Sequence, residues 1–225
     1  MTTNPITPRV ALEVAHHEAV IRQAYKDSVG VWTWSVGLTR ATGHDVTRYI
    51  GNPATLEKCL EIFVWALNNY AEAVRAEFKG HNLTEAQFAA ALSFHWNTGS
   101  IRSASWVDAW KAGNVADAKR RFMLYNKPAA IIPRRKAECA LFFDGKWSGG
   151  RTMPEYTRVT ANYSPVWSSR VNVEVMDILE RLLASPTPLP EPQTTIWNEP
   201  KPEPIANPWA VLARLFASLL GKATK

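Results

Sequence analysis

Cysteine is scarce in this chain, because only Cys59 and Cys139 occur among its 225 residues. Two cysteines cannot hold a structural zinc ion by themselves, and no close histidine cluster accompanies them. Both fall in apolar helical patterns, which favours buried thiols over a disulfide. We therefore expect neither a metal ion nor a cofactor.

Long apolar runs are also absent. No stretch of about 20 apolar residues occurs, so we expect no membrane-spanning helix. The N-terminal sequence MTTNPITPRVALEVAHHEAV lacks the continuous apolar segment of a signal peptide. We therefore expect the protein to be made and stored in the cytoplasm.

Acidic residues are outnumbered by basic ones, and this gives the chain a net charge of +6. A basic surface favours a polyanionic partner such as nucleic acid, anionic lipid or an acidic cell-wall polymer. The sequence contains no zinc finger, aromatic RNA-binding strand motif or basic zipper, and so we expect no nucleic-acid partner. The ten tryptophans suit a core, and an indole also stacks well on the flat apolar face of a sugar.

The first third of the chain predicts a helix followed by a small sheet. Apolar residues at helical spacing predict a helix over residues 7–25. In VWTWSV, residues 31–36, the side chains alternate, which predicts a strand with Thr33 on the face opposite Trp32 and Trp34. A long amphipathic helix is then expected to begin at Asn52–Pro53 and to end at Gly80.

The remainder predicts further helices and then a change of character. In LTEAQF, Thr84 and Gln87 have the spacing of a capping box at the start of a helix. The domain organisation expected from composition is a compact domain over 1–147, a mixed extension over 148–185 with an amphipathic helix from Asn172 to Ala184, a proline-rich linker over 186–208, and an amphipathic helix over 209–225.

Three polar residues near the N-terminus suggest an active site. Glu18, Asp27 and Thr33 form the pattern E-x8-D-x5-T. Two carboxyl groups across a cleft suit glycosidic cleavage, since one gives a proton to the leaving oxygen and the other assists the attacking water. A threonine hydroxyl can hold that water without carrying charge. Spacing alone also fits solvated surface residues.

The surrounding sequence resembles the phage-type lysozymes, or endolysins, of glycoside hydrolase family 24. The pattern E-x8-D-x5-T includes the family-like segments AYKD and GVWT. Three later stretches resemble the family's successive helices in the same order: LTEAQFAAALSFHWNTGS, KAGNVADAKRRFMLYN and IIPRRKAECALFFDG. The resemblance covers residues 10 to about 147.

This resemblance implies an α+β fold, mainly helical and two-lobed, with a small antiparallel sheet. It implies a muramidase that cleaves the β-1,4 bond between N-acetylmuramic acid and N-acetylglucosamine in peptidoglycan. Glu18 would be the general acid, Asp27 the second carboxylate and Thr33 its partner near the water.

Three further residues are candidates for substrate binding or electrostatic support: Arg134, Arg135 and Asn97. We expect one of the two arginines to approach Glu18. On the hypothesis that this cation favours ionised Glu18, substrate binding would have to restore the proton.

The chain departs from the family pattern at three positions. Ser35 stands where the family usually has glycine, Leu38 where it has histidine, and Ala19 follows the glutamate in place of glycine. Two alternatives to a muramidase stay open, and the replaced glycine and histidine near Thr33 support the second of them. One is a lytic transglycosylase, which needs a single acid and no water. The other is a non-catalytic lysis protein that binds the wall and disturbs the membrane.

The expected biological setting is lysis of a bacterial host by a bacteriophage. Without an export signal, the enzyme would wait in the host cytoplasm, require a holin for release, and then act on the periplasmic cell wall. The segment 209–225 has an apolar stripe with Trp209 and flanking cations, which suits an anionic membrane surface. Packing on the catalytic domain or dimerisation is the alternative for this helix.

Overall fold

The fold is α+β and mainly helical, as the resemblance implies, but the described residues form two small antiparallel sheets where one was expected. The computed structural model describes residues 4–27 and 30–184. Its helices are α1 (Pro8–His16), α2 (Leu56–Glu77), α3 (Glu85–Thr98), α4 (Ser105–Lys111), α5 (Val115–Phe122), α6 (Ile132–Asp144) and α7 (Met176–Ala184). Its strands are β1 (Ile21–Lys26), β2 (Trp32–Ser35), β3 (Leu38–Thr39), β4 (Thr152–Tyr156) and β5 (Arg170–Glu174).

The first sheet has the order β1–β2–β3, with Tyr25 of β1 directly opposite Thr33 of β2. Side chains alternate along β2 as predicted. Trp34 is fully buried and stacks on Tyr49 at 3.7 Å between ring centroids, whereas Trp32 packs edge-on against Tyr163. Both indoles are therefore engaged on the face that Thr33 does not share.

The predicted helix over 7–25 was too long. Thr7 caps α1, but the helix ends at His16 and the chain re-enters regular structure as β1 at Ile21. Val20 and Ile21 are β-branched and suit a strand. Val20 also pairs with Glu155, far along the chain, and local periodicity carries no information about that pairing.

Helix starts were predicted with mixed success. The capping box of α3 is present, with both the Thr84 and the Gln87 side chains bonded to backbone N–H groups. The start of α2 was wrong, because Thr55 rather than Asn52 caps it: its side chain accepts the Lys58 N–H at 3.1 Å. Pro53 therefore lies in the connection before the helix.

Helix α3 lies at the centre of the fold. It contacts α1, α2 and α6, and every residue from Phe88 to Asn97 is buried. A helix that is buried on all sides must be surrounded by other elements. Consequently its few polar side chains lie inside the protein, where they need hydrogen-bond partners.

Residues 148–184 pack on the preceding domain and share its core. Met153, Val175 and Leu179 belong to the same buried apolar cluster as α1 and α2. The predicted helix from Asn172 was wrong at its start, since residues 170–174 form β5 and pair with β4. The alternating apolar residues Val171 and Val173 are typical of a strand, but Val173 also fits the helical spacing of the apolar residues that follow it.

The predicted proline-rich linker and C-terminal helix, residues 186–208 and 209–225, lie outside the described residues. Within the described part of the chain, none of the helices combines the length and apolar character needed to cross a membrane. The two cysteines are free thiols, as expected, with Cys59 buried and Cys139 half-buried.

Candidate active site

Glu18 lies just beyond the C-terminus of α1, in the connection to β1. Its backbone N–H bonds to the Ala15 carbonyl at 3.0 Å, which continues the last turn of the helix. Its side chain is fully buried and contacts Nη1 of Arg134 through Oε1. The sequence expectation that one of the motif arginines approaches Glu18 therefore applies to Arg134.

The protonation of Glu18 differs from the sequence-based hypothesis. Burial raises the pKa of this carboxyl to about 8, although Arg134 acts in the opposite direction. Arg134 favours the ionised form, as the hypothesis states, but burial outweighs it, so the conclusion that substrate binding must restore the proton was wrong. Its second oxygen, Oε2, is buried and has no hydrogen-bond partner among the described residues. A carboxylic acid with a free buried oxygen is suited to donate a proton.

Arg134 is held by α3 and α6 together. Its Nε donates to Glu138 at 2.8 Å, and its Nη2 donates to the carbonyl and hydroxyl oxygens of Ser93 at 3.2 and 3.1 Å. Glu138 is 0% exposed and was not identified from the sequence. It lies four residues after Arg134, and this i,i+4 spacing on a helix is the signal that predicts such an ion pair.

Arg135 and Asn97 contact each other rather than Glu18 in the described contacts. Nη2 of Arg135 donates to the Asn97 side-chain oxygen, while its Nη1 contacts Glu138. The two side chains are buried, at 0% and 3% exposure. Arg135 thus links Asn97 to Glu138, the residue that Arg134 also contacts.

Asp27 and Thr33 meet at the backbone of Val31. The Val31 N–H donates to Oδ1 of Asp27 at 2.8 Å, and the Val31 carbonyl accepts the Asp27 N–H at 3.0 Å. The same carbonyl accepts the hydroxyl of Thr33 at 3.2 Å. Two of the predicted site residues, separated by six positions, are thus joined through one residue.

Tyr25 connects this pair with Glu18. It is buried in β1, opposite Thr33, and burial raises the pKa of its hydroxyl, with further contributions from the charges of Glu18 and Asp27. Both carboxyl groups therefore influence the same phenol electrostatically. Sequence reasoning missed Tyr25, although its position two residues before Asp27 on an alternating strand marks it as facing the same side.

The departures from the family pattern fit the local backbone. Ser35 has φ +55°, in the left-handed region that favours glycine, and it stands where the family usually has glycine. Its hydroxyl donates to the Cys59 carbonyl at 2.9 Å, which offsets part of the strain. Leu38 is buried in the core, so an apolar contact occupies the position of the family's histidine.

No trio of His, Cys, Asp or Glu side chains in residues 4–27 and 30–184 has an arrangement that would hold a metal ion.

A helical fold with a small sheet thus carries a buried protonatable glutamate and an aspartate and a threonine joined through Val31, and these residue types suit glycosidic cleavage. The phage lysozyme family matches residues 15–138, and the chain belongs to that family. It is a peptidoglycan hydrolase by this membership.

Solved structures support the same fold. The endolysin from Escherichia coli O157:H7 phage FAHEc1 is 20% identical with a TM-score of 0.58, covering 64% of this chain and 96% of that protein. A point mutant of P22 lysozyme is 25% identical with a TM-score of 0.53, covering 63% and 99%. The muramidase domain of SpmX from Asticaccaulis excentricus is 22% identical with a TM-score of 0.53, covering 61% and 96%. No curated protein matches the sequence.

Proposed function

We propose that the protein is a muramidase that cleaves the β-1,4 bond between N-acetylmuramic acid and N-acetylglucosamine, with Glu18 as the general acid. The observation that carries this proposal is the state of Glu18. Its pKa of about 8 keeps the proton at neutral pH, and its buried Oε2 is free to donate that proton to the leaving oxygen.

Asp27 acts in this proposal as the second carboxylate, and Thr33 holds the attacking water beside it. The shared contacts of both residues with Val31 support this assignment, because they keep the two side chains at one end of the sheet. Arg134 stabilises the carboxylate that Glu18 becomes after proton transfer. Arg135 and Asn97 act through Arg134 by holding Glu138 and each other.

The product of digestion tests the reaction type. Purified peptidoglycan is digested and the glycan ends are analysed by mass spectrometry. Hydrolysis leaves a reducing-end muramic acid, because water adds to the sugar carbon. Anhydro-muramic ends would identify a lytic transglycosylase, which uses one acid and no water, and would remove the roles given to Asp27 and Thr33.

The non-catalytic alternative rested on the replaced glycine and histidine next to Thr33. Ser35 adopts the backbone conformation required at the glycine position, and Leu38 packs in the core. Neither departure disturbs the contacts of Asp27 or Thr33 with Val31, and this favours an active enzyme.

We further propose that the domain boundaries predicted from composition define the biological unit: a catalytic domain over 1–147, an extension over 148–185 that packs on it, a linker over 186–208 and a helix over 209–225. In this scheme the enzyme accumulates in the host cytoplasm and reaches the periplasmic wall after a holin opens the membrane. The terminal helix would then bind an anionic membrane surface. A helix over residues 208–220 would be only about 20 Å long, too short to cross the membrane and long enough to lie on it.

Vesicle flotation tests the membrane role. The full chain is expected to float with vesicles rich in anionic phosphatidylglycerol, and the Leu215→Asp variant is expected to lose this binding because it interrupts the apolar stripe. Equal behaviour of both chains, or no flotation, would remove the membrane proposal without touching the enzymatic one.

A further inference from the structure

Glu138 is a second buried carboxylate beside the proposed acid. It accepts from Nε of Arg134 at 2.8 Å and from the Ser93 hydroxyl at 2.6 Å, and it contacts Nη1 of Arg135. Burial by itself would raise the pKa of Glu138, but the two guanidinium groups outweigh burial and hold it below its usual range. Glu138 therefore carries a negative charge throughout the neutral pH range.

One guanidinium is thus shared between two carboxyl groups. Arg134 contacts Glu18 through Nη1 and Glu138 through Nε. Burial is the largest cause of the raised pKa of Glu18, and Arg134 opposes it. If Arg134 faced Glu18 alone, its full positive charge would favour the ionised acid more strongly. The negative charge of Glu138 lies against the same guanidinium and reduces that effect.

We propose that Glu138 is a positioning residue that helps to keep the proton on Glu18, by fixing Arg134 against Ser93 and by offsetting its charge. The proposal rests on the function assigned to Glu18. It goes beyond that function because Glu138 has no contact with Glu18 among the described contacts and is assigned a role that acts through Arg134.

The other groups around the site do not replace Glu138 in this role. Helix α6 supplies Arg134 and Arg135, α3 supplies the uncharged Ser93 and Asn97, and β1 supplies the neutral Tyr25. Just beyond α1, His17 contributes to the lowered pKa of Glu138. Its Nε2 lies 3.5 Å from Oε1 of Glu13. Among these groups, Glu138 is the carboxylate that shares Arg134 with the acid.

The test is the pH profile of Glu138→Gln, which keeps the shape of the side chain and removes its charge. The alkaline midpoint of activity is expected to move to lower pH by about one unit or more, because Arg134 then acts on Glu18 undiminished. Glu138→Asp restores the charge and should move the midpoint back toward that of the wild type. A residue with a purely structural role would lower the active fraction without moving the midpoint.

Glu13→Gln is the matched control. Glu13 is also a buried carboxylate, but it bonds to Ser148 rather than to Arg134. Its substitution should leave the alkaline midpoint unchanged. An unshifted midpoint in Glu138→Gln, with Glu18→Gln inactive, would overturn the inference and leave the proposed function standing. Activity in Glu18→Gln would instead overturn the proposed function.

The wild-type protein provides a test that does not require the variant to fold. In a carboxyl-carbon NMR titration of the full chain from pH 5 to pH 9, Glu18 is expected to titrate near pH 8, while Glu138 stays ionised. Uptake of a proton by Glu138 within this range would overturn the inference, since a neutral Glu138 cannot cancel the charge of Arg134.

Discussion

The carboxyl group of Glu18 contacts the guanidinium of Arg134 across 116 positions of the sequence, inside the protein and away from water. The pair brings together the end of the first helix and the closing helix of the lysozyme domain. Because Arg134 is shared with Glu138, the contact fixes the orientation of Glu18 without removing its proton. The proposed role of Glu18 as the general acid depends on this contact.

Activity is expected to decline as the pH rises through about 8. Glu18 must be protonated to act as an acid, and its pKa lies at about 8 in the folded protein. Initial rates of lysis of permeabilised Gram-negative cells, measured at constant ionic strength between pH 5 and pH 10, give this midpoint. A midpoint near pH 4.5, the ordinary value for glutamate, would contradict the burial argument.

The same titration predicts a pH-dependent stability. The folded pKa of Glu18 lies above its ordinary value of 4.5, so its favourable contribution is complete below about pH 4.5 and is lost as the pH rises to about 8. Relative to Glu18→Gln, which cannot titrate, the wild type should lose a free energy of unfolding on the order of a few kcal/mol between pH 5 and pH 8.5.

Urea unfolding at both pH values measures this difference. The control is Glu72→Gln, which alters a glutamate on the surface of α2 and should keep a constant difference from the wild type. If the difference between wild type and Glu18→Gln is also constant, the raised pKa of Glu18 is ruled out.

A pair of substitutions at Ser35 separates backbone strain from hydrogen bonding. Ser35→Ala keeps the positive φ and loses the hydroxyl bond to the Cys59 carbonyl, so it should destabilise the fold by about 1 kcal/mol. Ser35→Gly loses the same bond but relieves the strain, which is worth about 1–2 kcal/mol, and it should be close to neutral or stabilising. Thermal unfolding compares the two. A glycine variant less stable than the alanine variant would show that strain at this position is unimportant.

Tyr163, in the extension over residues 148–185, is expected to stabilise the sheet formed by β1 and β2. Its carbonyl accepts the Lys26 N–H at 2.7 Å and its ring packs on Trp32, the neighbours of Asp27 and Thr33. Tyr163→Ala should cost about 1 kcal/mol of stability and reduce kcat, because the turn that carries Asp27 loosens. Tyr163→Phe preserves the ring and serves as the control. If Tyr163→Ala keeps the kcat of the wild type, the ring of Tyr163 contributes to packing alone and has no effect on catalysis.

The sequence supplied the residues of the proposed site but little of what determines the protonation of Glu18. The spacing of Glu18, Asp27 and Thr33 and the arginines of α6 are local motifs, and the resemblance to lysozymes connected them. Local patterns fail where distant chain segments decide the outcome. Residues 20–26 have helical periodicity but form a strand because β2 and the extension pair with it.

The buried charges could not be placed from the sequence for a related reason. The i,i+4 spacing of Arg134 and Glu138 fits a solvated helix face as well as a buried pair. Only the packing of α6 on the fully buried α3 removes both from water. For the same reason the sign of the pKa shift of Glu18 was mispredicted, since the proximity of an arginine was foreseen and the extent of burial was not.

The most direct test of the central claim compares the wild type with Glu18→Gln on purified peptidoglycan. Circular dichroism and thermal unfolding first establish that the variant is folded. If Glu18 is the general acid, solubilisation of the glycan by Glu18→Gln should fall by at least about a hundredfold, which is the lower range for the loss of a general acid. A folded Glu18→Gln that digests peptidoglycan at the wild-type rate would contradict it.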